Sequence, residues 1–152
     1  MHRLIALALG LFLIFGGSAM AADYASKDEA RQFVERAIAH FDQVGRAKAL
    51  ADFSDPKGGF IDRDLYIAVF DFEGLTLAQG AAPKLVGINR MDQTDSNGKP
   101  YIREIIETAR KNGEGWVEYM RNNPQTKKIE EKVTFTKAHE GLVFMCGAYK
   151  AG

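Results

Sequence analysis

The sequence predicts an α+β domain, and three observations carry that prediction. Helical periodicity is confined to residues 27–53 and 101–112. The stretches 65–79 and 115–150 are instead rich in aromatic and β-branched side chains, interrupted by short turn signals. Strand-like segments at both ends of this pattern carry apolar residues at both parities, as in Ile67 and Val69 beside Tyr66 and Phe70, or Val143 and Met145 beside Phe144 and Cys146. A strand apolar on both sides belongs to a sheet covered on both faces.

The chain begins with an address rather than with structure. Arg3 precedes an apolar run over residues 4–15, followed by the Gly16-Gly17 pair and by Ala19-Met20-Ala21, a small-x-small pattern that suits cleavage after Ala21. Twelve apolar residues are too few for a membrane span, which needs about 20. A signal peptide over 1–21 and one domain over 22–152 are therefore expected, in a periplasmic or secreted protein with no membrane span after cleavage. The 152 residues carry 20 basic and 20 acidic side chains, so there is no cationic surplus for nucleic acid or anionic lipid. Cys146 is the one cysteine. It has no partner for a disulfide and sits in an apolar run, where it reads as a small buried hydrophobe.

Ser26 followed by Glu29 is a capping box. Ala30, Phe33, Val34, Ala37, Ile38 and Phe41 recur at three and four residues, so a helix is expected over about 27–44. Gly45 interrupts it and a shorter helical piece follows over 46–53. Residues 54–64 are turn chemistry, with Pro56 and Gly58-Gly59. Strands are expected over 65–73 and 75–79, joined at Glu73-Gly74 as a hairpin. The connection 80–100 is long and irregular, as functional loops often are. A helix over 101–112 closes on Gly113, and strands over 115–121, 129–137 and 142–150 complete the sheet of about five strands. The long N-terminal helix covers one face and the loop with the later helix covers the other, where a small-ligand cavity can sit.

Catalytic constellations are not evident. Ser26, Ser54 and Ser96 lie outside any nucleophile elbow, and His40 and His139 are isolated in sequence. Phosphate-cradling glycine patterns do not occur. A partial calcium loop places Asp95, Asn97 and Glu104 at ligand positions but has Gln93 at the first and Pro100 at the eighth, so Asp92, Asp95 and Asn97 read as turn formers. Asp71 reads as a hairpin acceptor for turn amides rather than as a desolvated acid. An enzyme would need Asp71, Cys146 or His139 to converge in one cleft; the chain reads as a non-enzyme with no cofactor.

Over residues 27–150 these features resemble a single Cache domain. The resemblance rests on Tyr66-Ile67 with Asp71 and Gly74, on Pro83, Leu85 and Gly87, on Asp95 through Gly98 and Pro100, and on Gly115-Trp116-Val117, Tyr119, Pro124, Lys132 and Tyr149. It implies a PAS-like antiparallel sheet, with a ligand pocket on the face away from the long helix. It also implies a sensory binding module for a small organic acid such as pyruvate, lactate, acetate or propionate. Because no signalling segment follows Gly152, output is expected to pass to a separate membrane receptor or kinase, in chemotaxis or related signal transduction. Ligand-facing residues implied by the family pattern are Tyr66, Trp116, Tyr119, Lys132 and Tyr149, with Gln79 where relatives often have histidine. Phe135 stands where a hydroxylated aromatic is frequent, which removes a donor. Trp116 and Tyr119 have opposite parity, so at most one faces the pocket unless a bulge intervenes. Lys132 either reaches the pocket or stays in solvent. The alternative function is a ligand-independent module that docks on a membrane receptor.

Overall fold

A computed structural model describes residues 23–150, so the signal peptide expected over 1–21 lies outside the described residues. Helix α1 (Lys27–Val44) begins at the capping box: the Ser26 hydroxyl accepts from the Glu29 amide at 3.1 Å and the Glu29 carboxylate accepts from the Ser26 amide at 2.7 Å. Its six expected apolar residues are all buried. Gly45, at φ 83°, turns the chain into α2 (Arg46–Ser54). Then follow β1 (Ile61–Asp62), β2 (Leu65–Tyr66), β3 (Ala68–Asp71), β4 (Thr76–Gln79), α3 (Tyr101–Asn112), β5 (Glu114–Asn122), β6 (Ile129–His139) and β7 (Leu142–Tyr149).

The main sheet has the order β4-β3-β7-β6-β5, with every neighbouring pair antiparallel. Its central strand β7 is buried along its whole length. Pleat alternation sorts the side chains into two layers. Ile67, Val69, Phe135, Phe144, Cys146 and Ala148 pack against α1 and α2. Ala68, Phe70, Val117, Tyr119, Val143 and Met145 pack against α3, with Met91 of the 80–100 segment added from above. The α+β architecture expected from the sequence is the architecture observed, with a helix on one face and loop plus helix on the other.

Two segments differ from expectation. Residues 54–64 are not wholly irregular, because β1 pairs with β2 as a small antiparallel ribbon. The strand expected over 65–73 is accordingly divided, with Leu65–Tyr66 in the ribbon and Ala68–Asp71 in the main sheet. Asp64, in the turn between β1 and β2, anchors the ribbon. Its carboxylate is fully buried and accepts from the Ala25 amide at 2.9 Å and the Tyr149 amide at 3.1 Å. One turn thus ties the start of α1 to the end of β7, and the chain bends there to bring the carboxylate inward.

The 80–100 connection is ordered by its own backbone. Thr76 exchanges backbone hydrogen bonds with Gly87 and Ile88, and the Arg90 amide donates to the Gly74 carbonyl at 2.8 Å, so the loop shields the β4 edge. Asp95 then accepts from the amides of Asn97, Lys99 and Met120, at 2.8 to 2.9 Å, pinning the loop to β5. The Met120 amide above all, with the other two, holds its carboxyl below the usual carboxylate range.

Removing the Asp64 anchor tests the account of the ribbon. Asp64→Ala leaves two buried amides without an acceptor and is expected to lower unfolding stability by about 2–3 kcal/mol, with Asp64→Asn losing less. Urea unfolding measures both; an Asp64→Ala midpoint equal to wild type would show that the anchor contributes nothing.

Candidate functional site

The α3 face of the sheet holds a group of polar side chains that ordinary core packing does not require. Lys132 of β6 is cross-strand partner to both Tyr119 of β5 and Tyr149 of β7, so all three point to this face. Lys132 is completely buried. Its aliphatic stem crosses Gly147: a Cβ there would stand 2.6 Å from Lys132 Cε and 2.2 Å from Thr134 Oγ1. The absent side chain at 147 is what lets the lysine lie flat on the sheet.

The Lys132 ammonium ends 3.9 Å from the Tyr66 ring centre and 4.8 Å from that of Tyr149. These cation–π contacts offset part of the cost of burying a charge. Nζ has no hydrogen-bond partner among the described residues. Burial pushes the Tyr66 phenol up, but the Lys132 charge, the more distant Arg121 charge and the polar groups beside the ring together outweigh it and hold Tyr66 below the ordinary tyrosine value. Burial raises Tyr119 and Tyr149 instead, and the neighbouring Tyr66 phenol adds to both shifts. The Tyr149 hydroxyl donates to the Asn122 carbonyl at 2.7 Å, and Tyr119 is hydrogen-bonded to Thr134 at 3.0 Å. The ring wall around Lys132 is therefore held in place by its own contacts.

Two further cations border this wall. Arg90, from the 80–100 segment, is 5% exposed and stands over Phe70. Its Nε donates to Gln93 at 2.6 Å and its Nη2 to the Tyr101 hydroxyl at 2.9 Å. Arg121 of β5 donates to the same hydroxyl at 3.1 Å. Tyr101 in turn stacks on Tyr119 with ring centres 4.3 Å apart. Among the described residues none of the three cations forms an ion pair with a carboxylate. Glu130 shares the face, but its oxygens accept from Tyr24, Asn123 and Thr126. A face rich in phenols and unpaired buried cations is suited to an anion of modest size.

Of the residues expected at the site, the structure brings together Tyr66, Tyr119, Lys132 and Tyr149. Gln79 is buried on the same side, paired with Ala68, but its side-chain oxygen accepts from the Ala81 amide at 3.2 Å. Trp116 is a correction: it pairs with Phe135 on the α1 face, is 37% exposed and lies beneath the Lys27 ammonium. Phe135 belongs to the α1 layer as well, so its missing hydroxyl takes nothing from the pocket. The one-residue step from 116 to 117 reverses the face, and no bulge interrupts the β5–β6 register to restore it. Arg90, Arg121 and Tyr101 were not singled out by the sequence. Arg90 sits in an irregular segment with no periodicity, and only its contact with Tyr101 shows where it points.

In this arrangement the long helix and the Lys132 face lie on opposite sides of one sheet. A family model for single Cache domain 2 matches residues 18–151, and the chain belongs to that family. A methyl-accepting chemotaxis protein of Vibrio parahaemolyticus superposes with a TM-score of 0.71 at 18% identity, over 81% of this chain and 87% of that one. A periplasmic sensor domain of a chemotaxis protein gives 0.64 at 25% identity, over 82% and 90%. A Cache chemosensory domain described for carboxylic acid recognition gives 0.70 at 16% identity, over 82% and 92%. No match was found among curated proteins. Among the described residues, no helix is long and apolar enough to cross a membrane.

The residues weighed for catalysis do not meet. Asp71 accepts from the Glu73 and Leu75 amides at 3.0 and 2.8 Å, as a hairpin acceptor. His139 pairs with Asp42 at 2.6 Å at the end of α1, and His40 pairs with Asp52 at 2.8 Å between the two N-terminal helices. Cys146 lies inside the α1 layer, where burial pushes its thiol up to about 12. Thiolate is the reactive form. Cys146 in the folded protein should therefore resist a thiol-specific disulfide reagent at pH 8 and react fully in denaturant; rapid native labelling would contradict its placement.

Proposed function

We propose that this protein is an extracytoplasmic sensory module that binds a small organic carboxylate and passes the signal to a membrane receptor or kinase. The observation that carries the reading is the Lys132 ammonium, wholly buried beside Tyr66 and Tyr149 with no hydrogen-bond partner among the described residues. A carboxylate supplies what that ammonium lacks: a negative charge and acceptor oxygens for a charge-assisted hydrogen bond in a low-dielectric site. Membership in a family of sensory binding modules, and fold similarity to a domain that recognises carboxylic acids, support the same reading. They also support binding rather than turnover, and an extracytoplasmic location.

Thermal melting of the refolded protein against acetate, pyruvate, lactate and propionate tests it. A ligand present at a hundred times its dissociation constant adds ~2.7 kcal/mol of stability, a shift of several degrees for a domain of this size. Lys132→Met replaces the charge with an apolar chain of similar length, so the unliganded variant should melt at or above wild type. Its carboxylate affinity should fall ~10–100-fold. A flat response from folded wild-type protein would sink the proposal in favour of ligand-independent docking on a receptor.

A further inference from the structure

An anion that meets Lys132 has to reach a side chain with no exposed surface. Tyr66, Tyr119 and Tyr149 stand around it, and two of these rings are tied down. Tyr149 donates its hydroxyl to the Asn122 carbonyl at 2.7 Å. Tyr119 is hydrogen-bonded to Thr134 and stacked on Tyr101, whose oxygen accepts from both Arg90 and Arg121. Tyr101, Ile102 and Ile105 of α3 are fully buried, so the helix closes that side. Tyr66 is the third ring. Its cation–π contact at 3.9 Å attracts it to the same charge that an incoming anion neutralises.

Beside Tyr66 lies open space. A cavity of about 400 Å³ between the β1–β2 ribbon and the β5–β6 turn is lined by Ile61, Leu65 and Tyr66, by Gly80 and Ala81 after β4, and by Pro124. Its volume is that of a small-ligand pocket. Ile61 is 39% exposed and Ala81 is exposed as well, so the cavity opens to solvent. Tyr66 therefore belongs to the cavity and to the lysine site at once. The cavity wall is cut back beside it: a Cβ at Gly80 would stand 3.2 Å from Tyr66 Cβ and 3.1 Å from the Phe53 carbonyl oxygen. The ribbon itself is fastened, because the Asp64 carboxylate fixes its turn to the Ala25 and Tyr149 amides. What is left to move is the Tyr66 side chain, by a change of rotamer toward the cavity.

Resting on the carboxylate reading above, we propose that Tyr66 is the gate of the Lys132 site and that this cavity is its vestibule. A small carboxylate enters between the ribbon and the β5–β6 turn, and the Tyr66 ring swings aside to admit it to the ammonium.

Access is measured without a ligand, from the reaction of the Lys132 amine with cyanate in the full chain at pH 8; the carbamyl group it leaves is quantified by peptide mass spectrometry. Tyr66→Ala should raise the Lys132 rate at least about tenfold over wild type, because labelling of a buried group reports its local opening. Ala81→Trp fills the cavity and should abolish that gain in the double variant, which separates access from a change in amine basicity. Alkylation of Cys146 by iodoacetamide, run in parallel, should stay slow throughout, since Cys146 lies in the α1 layer behind the sheet. Where Tyr66→Ala does not fold, Tyr66→Leu takes its place. Equal Lys132 rates in wild type and the ringless variant, a gain that survives Ala81→Trp, or Cys146 reacting in step with Lys132 each overturns the gate. Acid-induced melting decides the carboxylate reading separately: gated labelling without any melting shift removes the ligand class and leaves the gate.

Discussion

The structure depends on one constraint, the burial of β7 on both faces. A central strand with no solvent side needs a covering layer above and below, and a chain of this size can supply only two. Helix α1 provides one from residues adjacent in sequence. The other is assembled from α3 and the 80–100 segment, whose turns are fixed by Asp95 and by backbone pairing along β4. The first layer is continuous and apolar. The second consists of loop and a single short helix, so it leaves room for side chains that a close-packed interface would exclude.

Burying Lys132 is costly unless something compensates it. Two aromatic faces help, but a cation–π contact contributes about 0.5–2 kcal/mol, less than the several kcal/mol by which burial penalises an ion. The sheet accommodates the stem only because position 147 has no side chain to block it. An apolar residue at 132 would suit the fold as well or better. Packing alone therefore gives no reason for a lysine there, whereas the anion recognition proposed above would supply one. The same reasoning applies to Arg90, whose guanidinium is buried with one nitrogen unpartnered among the described residues.

Much of the fold was legible because it is written in local chemistry. The capping box at Ser26, the apolar stripe of α1, glycines at 45 and 113, and the parity of β3 and β7 each specify one element independently. What escaped was non-local. Asp64 anchors the β1–β2 ribbon through hydrogen bonds to residues 39 and 85 positions away, and nothing adjacent to it signals them. At the site, Lys132, Tyr66, Tyr119 and Tyr149 were legible through a family pattern. Trp116 followed the same pattern but failed on pleat geometry, since residues an odd number apart on an unbroken strand, such as 116 and 119, face opposite sides. Arg90 was illegible because a loop has no period from which to read direction.

Pleat alternation also decides what site and helix have in common. Along β6, Lys132, Thr134 and Thr136 face the ligand side, while Val133 and Phe135 face the other, and β7 alternates likewise between Tyr149 and Ala148, Gly147 and Cys146. Each β6 or β7 residue on the Lys132 side is thus one peptide unit from a residue on the α1 side. Interiors of this density deform by moving whole elements rather than by absorbing strain atom by atom. Helix and site need no direct contact to be linked: they are opposite faces of the same two strands.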